Sequence, residues 1–482
     1  MSFGFIFAAA GPILATLGVY FISACNLHAS VAMSKSFMVV PIHVRTFSDL
    51  SYYAFGEIGR FIVVLSEWGV CFLSPIAFFI FGGTILLPCI FAGSSYEEWV
   101  PTQWIIVISL VVLPILMIPT LKAAAPLACM GGLMAVLADT ICILSSLQSI
   151  HSTPRETYIQ AHNVIPTFGT ILFATGTAII VPSIQRQHAN PARLANLVSL
   201  TLLFITLIYM LIGIVTYHQF GCMAPATLLD QLPKESPARK VASALLLAHI
   251  IISFPLLLNP TMYDLERYIL GKDIDHEVLQ QVVNQRFADN SSRSSLSISA
   301  NIVATEDTLK PTASHDFEEE LLYGDNAPYV QVMSPSSNAS DKHTFVEETY
   351  TISDRVNSSF IRAITVWLQA FLAITFQASF NDIISLIGST AISVSCMIMP
   401  CLCYLRLHPI ATNTFQGKCD YLMCYLTIIS SLVLGIYCAY ITIGNIKRDM
   451  MDFRVFQGIE TSNHVNVKQN DEFPYCYEGE RN

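Results

Sequence analysis

The sequence predicts an all-α protein that crosses a membrane about ten times, and three observations carry the prediction. Of its 482 residues, 53% are hydrophobic and only 12% charged, against roughly 25% charged in soluble domains. Mean hydropathy is +0.54. Uncharged apolar runs recur along the chain, each at or near the ~20 residues that cross ~30 Å of hydrocarbon. A large soluble core accounts for one or two such runs, not ten.

In chain order the predicted spans are roughly 5–31, 60–90, 103–119, 124–147, 165–184, 195–217, 241–262, 359–378, 383–405 and 421–445. The first lacks a basic leader and an obvious cleavage site, so it reads as a retained span. Four regions follow. Residues 1–270 hold spans one to seven, 271–356 form a polar loop, 357–446 hold spans eight to ten, and 447–482 are a polar tail. The loop is serine-rich ("NSSRSSLSISAN") with an acidic patch ("HDFEEELLYGD"), a composition that buries no core and reads as disordered.

Basic residues of the short loops set the orientation. Lys35, Arg45, Arg60, Lys122, Arg186, Arg193, Arg406 and Lys418 fall on one side, and Arg155, Lys234, Arg239 and Lys240 on the other. The first, larger set is placed in the cytosol, with the 271–356 loop. Lys447, Arg448 and Arg454, after the last span, point the other way. A cytosolic loop makes the sequons at Asn290, Asn338 and Asn357 chance matches. "YVQV" (329–332) has the form of a tyrosine-based sorting signal or is a chance match too.

Thirteen cysteines are scattered, mostly inside apolar runs, and none has C-x-x-C or Cys/His ligand spacing. They read as small hydrophobes between helices. No H-E-x-x-H, G-x-S-x-G or Walker loop occurs, so no enzyme is predicted. No basic cluster resembles a nucleic-acid footprint.

One span carries interruptions. In "FATGTAIIVPSIQRQ" (173–187), Gly176 lies between Thr175 and Thr177, and Pro182 follows. Backbone groups left unpaired in lipid cost several kcal/mol each, so a break is tolerated only where protein or a watery cavity receives them. Secondary transporters place such breaks at substrate sites. Gly176 lets the backbone leave helical geometry, and the threonines add hydroxyls that bind a ligand or cap the second half-helix. A proline kink tuned for packing is the alternative.

The surroundings of the break resemble the amino acid/auxin permease family. "PTFGTILFATGTAIIVPSIQRQHANPAR" is similar to that family's sixth span, through Phe168, Phe173, Ala174, Gly176, Pro182, Ile184, Gln185 and Pro191. "TFSDLSYYAFGEIGR" resembles the lead into its third span, with Phe55, Gly56, Gly59 and Arg60. "SFPLLLNPTMYDLER" resembles the end of its eighth, with Pro255, Pro260 and Glu266. "FNDIISLIGSTAISVSCMIMPCLCYLRL" resembles its tenth, with Gly388, Ser389, Pro400 and Tyr404.

The resemblance implies an eleven-span carrier with a leucine-transporter-type fold of two inverted five-helix repeats. Each repeat's first span is broken, and substrate lies between the breaks. Phe173, Ala174, Thr175, Gly176 and Thr177 become half of the substrate site. Thr177 stands where the family often has a polar ring or amide. The start of the chain resembles the tail of the family's first span running into its second, so most of the first broken helix is missing. A truncated N-terminus is the preferred expectation, and a shortened relative that does not transport is the other.

Ionisable and polar residues at bilayer depth are functional candidates. Glu67 reads as a functional acid or one that reaches the interface. Asp139 reads as a coupling acid or as a protonated structural group. His249 has a ring whose ordinary titration suits a proton relay, or is a neutral packing histidine. Ser253, one turn on, offers a hydroxyl to sodium.

The expected function is proton- or sodium-coupled transport of small neutral amino acids by alternating access, with no other cofactor. The membrane is the plasma membrane or an endolysosomal or vacuolar one. The rival is an amino-acid sensor or scaffold that acts through a cytosolic partner of residues 271–356. A channel ranks third, since nothing resembles a filter.

Overall fold

The computed structural model describes residues 3–41, 44, 46–117, 124–147, 156–187, 191–225, 227–269, 352–408, 415–452 and 475–476. Residues 271–351 of the polar loop, with Asn290, Asn338 and "YVQV", lie outside these. So do the basic tail residue Arg454 and the loop residues Arg45, Lys122 and Arg155.

The first predicted span is two arms. α1 (Phe3–Val39) turns at Gly11, where φ is 71° and ψ 162°. Such a positive φ favours glycine, and Pro12 starts the second arm with φ already near its helical value. The short first arm is buried at Phe3, Gly4 and Ile6 to Ala10. α2 (Phe47–Phe81) begins on a capping box, in which the Thr46 hydroxyl accepts from Asp49 N–H and the Asp49 carboxylate accepts from Thr46 N–H. It continues through a π-helical turn, Gly82–Leu86, into α3 (Leu87–Ile90).

Next come α4 (Pro101–Leu116), α5 (Ala124–Leu147), α6 (Ala161–Thr175), α7 (Val181–Gln187), α8 (Leu194–Phe220) and α9 (Pro237–Ile269). After the loop, α10 (Ile352–Thr375) and α11 (Phe380–Ile387) precede a long π-helical stretch, Gly388–Ile398, which runs into α12 (Met399–Leu407). α13 (Phe415–Asp452) closes the membrane portion. Asn357 falls within α10.

The chain is an all-α, multi-pass membrane protein. Among the described residues, nine helices are long and apolar enough to span. The remaining predicted span is α4, whose 16 residues rise only ~24 Å. Surface chemistry agrees with a lipid setting. Along α8, Leu200, Phe204, Leu207 and Leu211 are at least half exposed, while Thr206, Gly213 and Thr216 are buried. Large apolar groups outside and small or polar ones inside is the arrangement expected where lipid is the solvent.

Two associations organise the interior: α1 packs along α8, and α5 along α9. α6 lies between α1 and the α11/π-helical pair. Phe3 stacks on Tyr209 of α8, with ring centroids 4.2 Å apart. Phe7 fills the notch beside Gly213. A buried ion pair joins α10 to α9 through Arg362 Nε and Glu266 Oε1 at 2.6 Å. The same guanidinium donates to Leu116 O, at the end of α4, at 2.6 Å.

Candidate functional site

The interruption predicted at Gly176 is a break in the helix. α6 ends at Thr175, Gly176 is extended (φ −64°, ψ 101°), and a 3-10 turn over Ala178–Ile180 leads into α7. The glycine is needed here for close approach, not for an unusual φ. A Cβ would lie 2.5 Å from Ile392 Cγ2 and 3.1 Å from Leu172 O. Pro182 is the second residue of α7, close to a helix start, where proline is tolerated. It starts the second half-helix.

Carbonyls freed by the break are received by side chains of other helices. Ala174 O accepts from Tyr209 Oη at 3.3 Å. Thr175 O accepts from Asn26 Nδ2, and Thr177 Oγ1 pairs with Ser30 Oγ at 3.2 Å. One turn further on, Gln185 Nε2 donates to Ser34 O at 3.0 Å. Asn26, Ser30 and Ser34 are spaced i, i+4, i+8, so they form one polar stripe along α1. The Thr175 hydroxyl turns back to Ile171 O at 2.9 Å.

Asn26 is fully buried. Only its amide nitrogen can face a carbonyl, so its oxygen points away from Thr175, and that Oδ1 has no hydrogen-bond partner among the described residues. A buried acceptor left open beside unwound backbone suits an ammonium group or a cation.

The opposite wall is the π-helical stretch, a geometry enriched at functional positions. Ser385 Oγ donates to Pro166 O at 2.5 Å. Ile392 and Cys396 stand against Gly176. Phe173 is half-buried and packs on the main apolar core, and Ala174 joins it.

The ionisable candidates are dispersed around this break. His249 Nδ1 lies 2.9 Å from Gly131 O on α5. A carbonyl only accepts, so Nδ1 carries a proton and Nε2 is the remaining ring nitrogen. Asp139 sits on the same helix as Gly131, eight residues on and so ~12 Å along the axis. The structure therefore does not bring Asp139 and His249 into hydrogen-bond contact. Asp139 Oδ1 is buried without a hydrogen-bond partner among the described residues. Ser253 is half-buried on α9, and Glu67 half-buried on α2, which packs against the π-helical stretch.

Comparison with known proteins decides the relationship. Residues 2–444 match the family described as transmembrane amino acid transporter protein. The chain belongs to that family. Relatives in Arabidopsis thaliana include the amino acid transporter AVT1D, 24% identical over 54% of this chain and 47% of the relative. AVT1J is 19% identical over 52% of this chain and 61% of the relative, and AVT1H 22% identical over 46% and 53%. This family member spans about half the length of the curated relatives it matches.

Sequence reasoning about this family member missed Asn26, Ser30 and Tyr209. The only signal for the first two was their four-residue spacing with Ser34 along α1. It also missed that Cys222 is disulfide-bonded to Cys476. Both of these cysteines lie outside the apolar runs, which set them apart from most of the others.

Proposed function

We propose that this protein is a secondary active transporter of small neutral amino acids, coupled to protons or sodium ions, working by alternating access. The observation that carries the reading is the break at Thr175–Thr177, held by Asn26, Ser30 and Tyr209, in a chain that matches an amino acid transporter family over residues 2–444. The relatives' names support amino acids as the substrate.

Substrate sits against the unwound backbone, where its charged ends meet peptide dipoles and the open oxygen of Asn26. The π-helical stretch opposite Gly176 limits the volume for the substrate side chain. On this reading the helices follow a leucine-transporter-type inverted repeat, and the broken α6–α7 segment rocks against α5 and α9. His249 and Asp139 serve a coupling proton, or Ser253 a sodium ion. The membrane is the plasma membrane or an endolysosomal or vacuolar one.

Uptake into proteoliposomes tests this. Expected is saturable uptake of a small neutral amino acid driven by an imposed pH or sodium gradient, and its loss in Asn26→Ala. Amino-acid binding by folded protein without flux under either gradient overturns the carrier reading. It leaves the sensor reading, with the 271–356 loop as the partner-binding segment.

A further inference from the structure

Four parts of the chain converge at one end of α8. Cys222, in the 3-10 turn that follows α8, is bonded to Cys476 of the C-terminal tail. Cys476 pairs with Thr157 in an isolated antiparallel bridge, and Tyr158 N–H donates to Tyr475 O at 2.8 Å. Thr157 Oγ1 donates to Tyr217 Oη of α8 at 3.2 Å. Tyr475 places its ring edge-on against Phe5, with centroids 5.3 Å apart. Phe5 belongs to the short first arm of α1. At the end of that arm a Cβ on Gly11 would lie 3.2 Å from Ile159 Cδ1, in the segment that pairs with the tail.

The bonded cysteines are buried, Cys222 at 1% and Cys476 at 0% exposure, so this is a seated contact and not a stray thiol pair. By the larger set of loop charges the 148–160 and 218–240 connections lie on the non-cytosolic side, against the opposite vote of Lys447 and Arg448 before the tail. Disulfides persist where the surroundings are oxidising, which the cytosol is not. Two unrelated arguments therefore put the same face outward.

We propose that the Cys222–Cys476 bond is a latch that holds Tyr475 and Cys476 of the C-terminal tail on the non-cytosolic face, with Tyr475 seated on the first arm of α1. The arm that ends at the Gly11 turn is clamped only after the chain reaches an oxidising compartment. In forming the latch, the two thiols lose two protons and two electrons to a disulfide donor, an oxidised protein dithiol, which leaves as its dithiol. A dithiol reductant reverses the step and is itself oxidised to a disulfide. The latch stands apart from transport, so failure of the carrier reading leaves it intact.

The test uses the full chain with a protease site inserted in the 271–356 loop, which separates the two cysteines. After cleavage the two fragments migrate together on a non-reducing gel and separate with dithiothreitol. Cys222→Ser and Cys476→Ser each separate without reductant. Hydrogen exchange of peptides covering 3–11 and 156–160 rises at least several-fold in Cys476→Ser, and also in Tyr475→Ala, which keeps the bond but removes the ring. Should Cys476→Ser fail to fold, wild-type protein reduced after folding takes its place. Wild-type fragments that part without reductant overturn the latch. Unchanged exchange in Tyr475→Ala overturns the seating. Removal of a C-terminal epitope by protease added to the cytosolic face of sealed membranes overturns the orientation.

Discussion

Gly169 and Gly388 meet backbone to backbone where α6 crosses the start of the π-helical stretch. A Cβ on Gly388 would lie 2.7 Å from the carbonyl carbon of Gly169, and one on Gly169 would lie 2.7 Å from that of Ser385. α6 carries the break and the π-helical stretch is the wall beside it, so the crossing fixes how closely the two approach.

Gly388→Ala or Gly169→Ala must therefore push main chain against main chain. Overpacking of a fitted interior costs about 1–3 kcal/mol, and rigid backbone leaves little room for relief. The expected outcome is a lower thermal unfolding midpoint in detergent and loss of amino-acid uptake. Gly132→Ala, where a Cβ meets nothing within 4 Å, serves as the control and leaves both unchanged.

Asn26 supplies the donor that Thr175 O receives in place of a helical N–H. Asn26→Ala leaves that carbonyl unpaired in a buried setting, a penalty of about 1–3 kcal/mol. Ser30→Ala removes only a hydroxyl pair and costs about 0.5–1.5 kcal/mol. Uptake and thermal unfolding measured on both variants should rank them in that order.

The Arg362–Glu266 pair is buried on both sides, each side chain 3% exposed. Removing one partner strands the other charge away from water, at about 3–5 kcal/mol. Arg362→Ala and Glu266→Ala should each unfold at a markedly lower temperature. Replacing both with apolar residues of similar size should recover much of that loss, because the stranded charge is gone.

His408 follows α12 beyond the membrane span and stacks on Tyr404, with ring centroids 4.4 Å apart. Burial pushes the histidine's pKa below its ordinary 6.5, with Lys35 nearby adding to the effect. The backbone of Tyr404 and the carboxylate of Asp420 oppose it. A lowered pKa means that the unfolded chain takes up the proton first, so the unfolded state gains as pH falls. This contribution to stability is full above pH 6.5 and is lost as pH falls through the lower, folded value. Unfolding midpoints measured from pH 8 to 5 should decline below about 6.5, and His408→Gln should flatten the part of the slope that His408 causes.

The sequence by itself determined the class and the layout. Apolar run length decided the helical spans, because lipid offers no partner for unpaired backbone. Gly176 and Pro182 marked the site of the break, because both residues act locally on the helix that carries them. Even there the reason was only half legible: Gly176 read as a conformational joint, yet its φ is ordinary and the constraint is Ile392, more than two hundred residues away. The tertiary structure alone decided what the break faces. Asn26 reaches Thr175 across 149 positions, Arg362 reaches Glu266 across 96, and Cys222 reaches Cys476 across 254. None of these pairings has a local signature. Each follows from which helices pack together, and helix periodicity says which face is polar without saying whose partner it becomes.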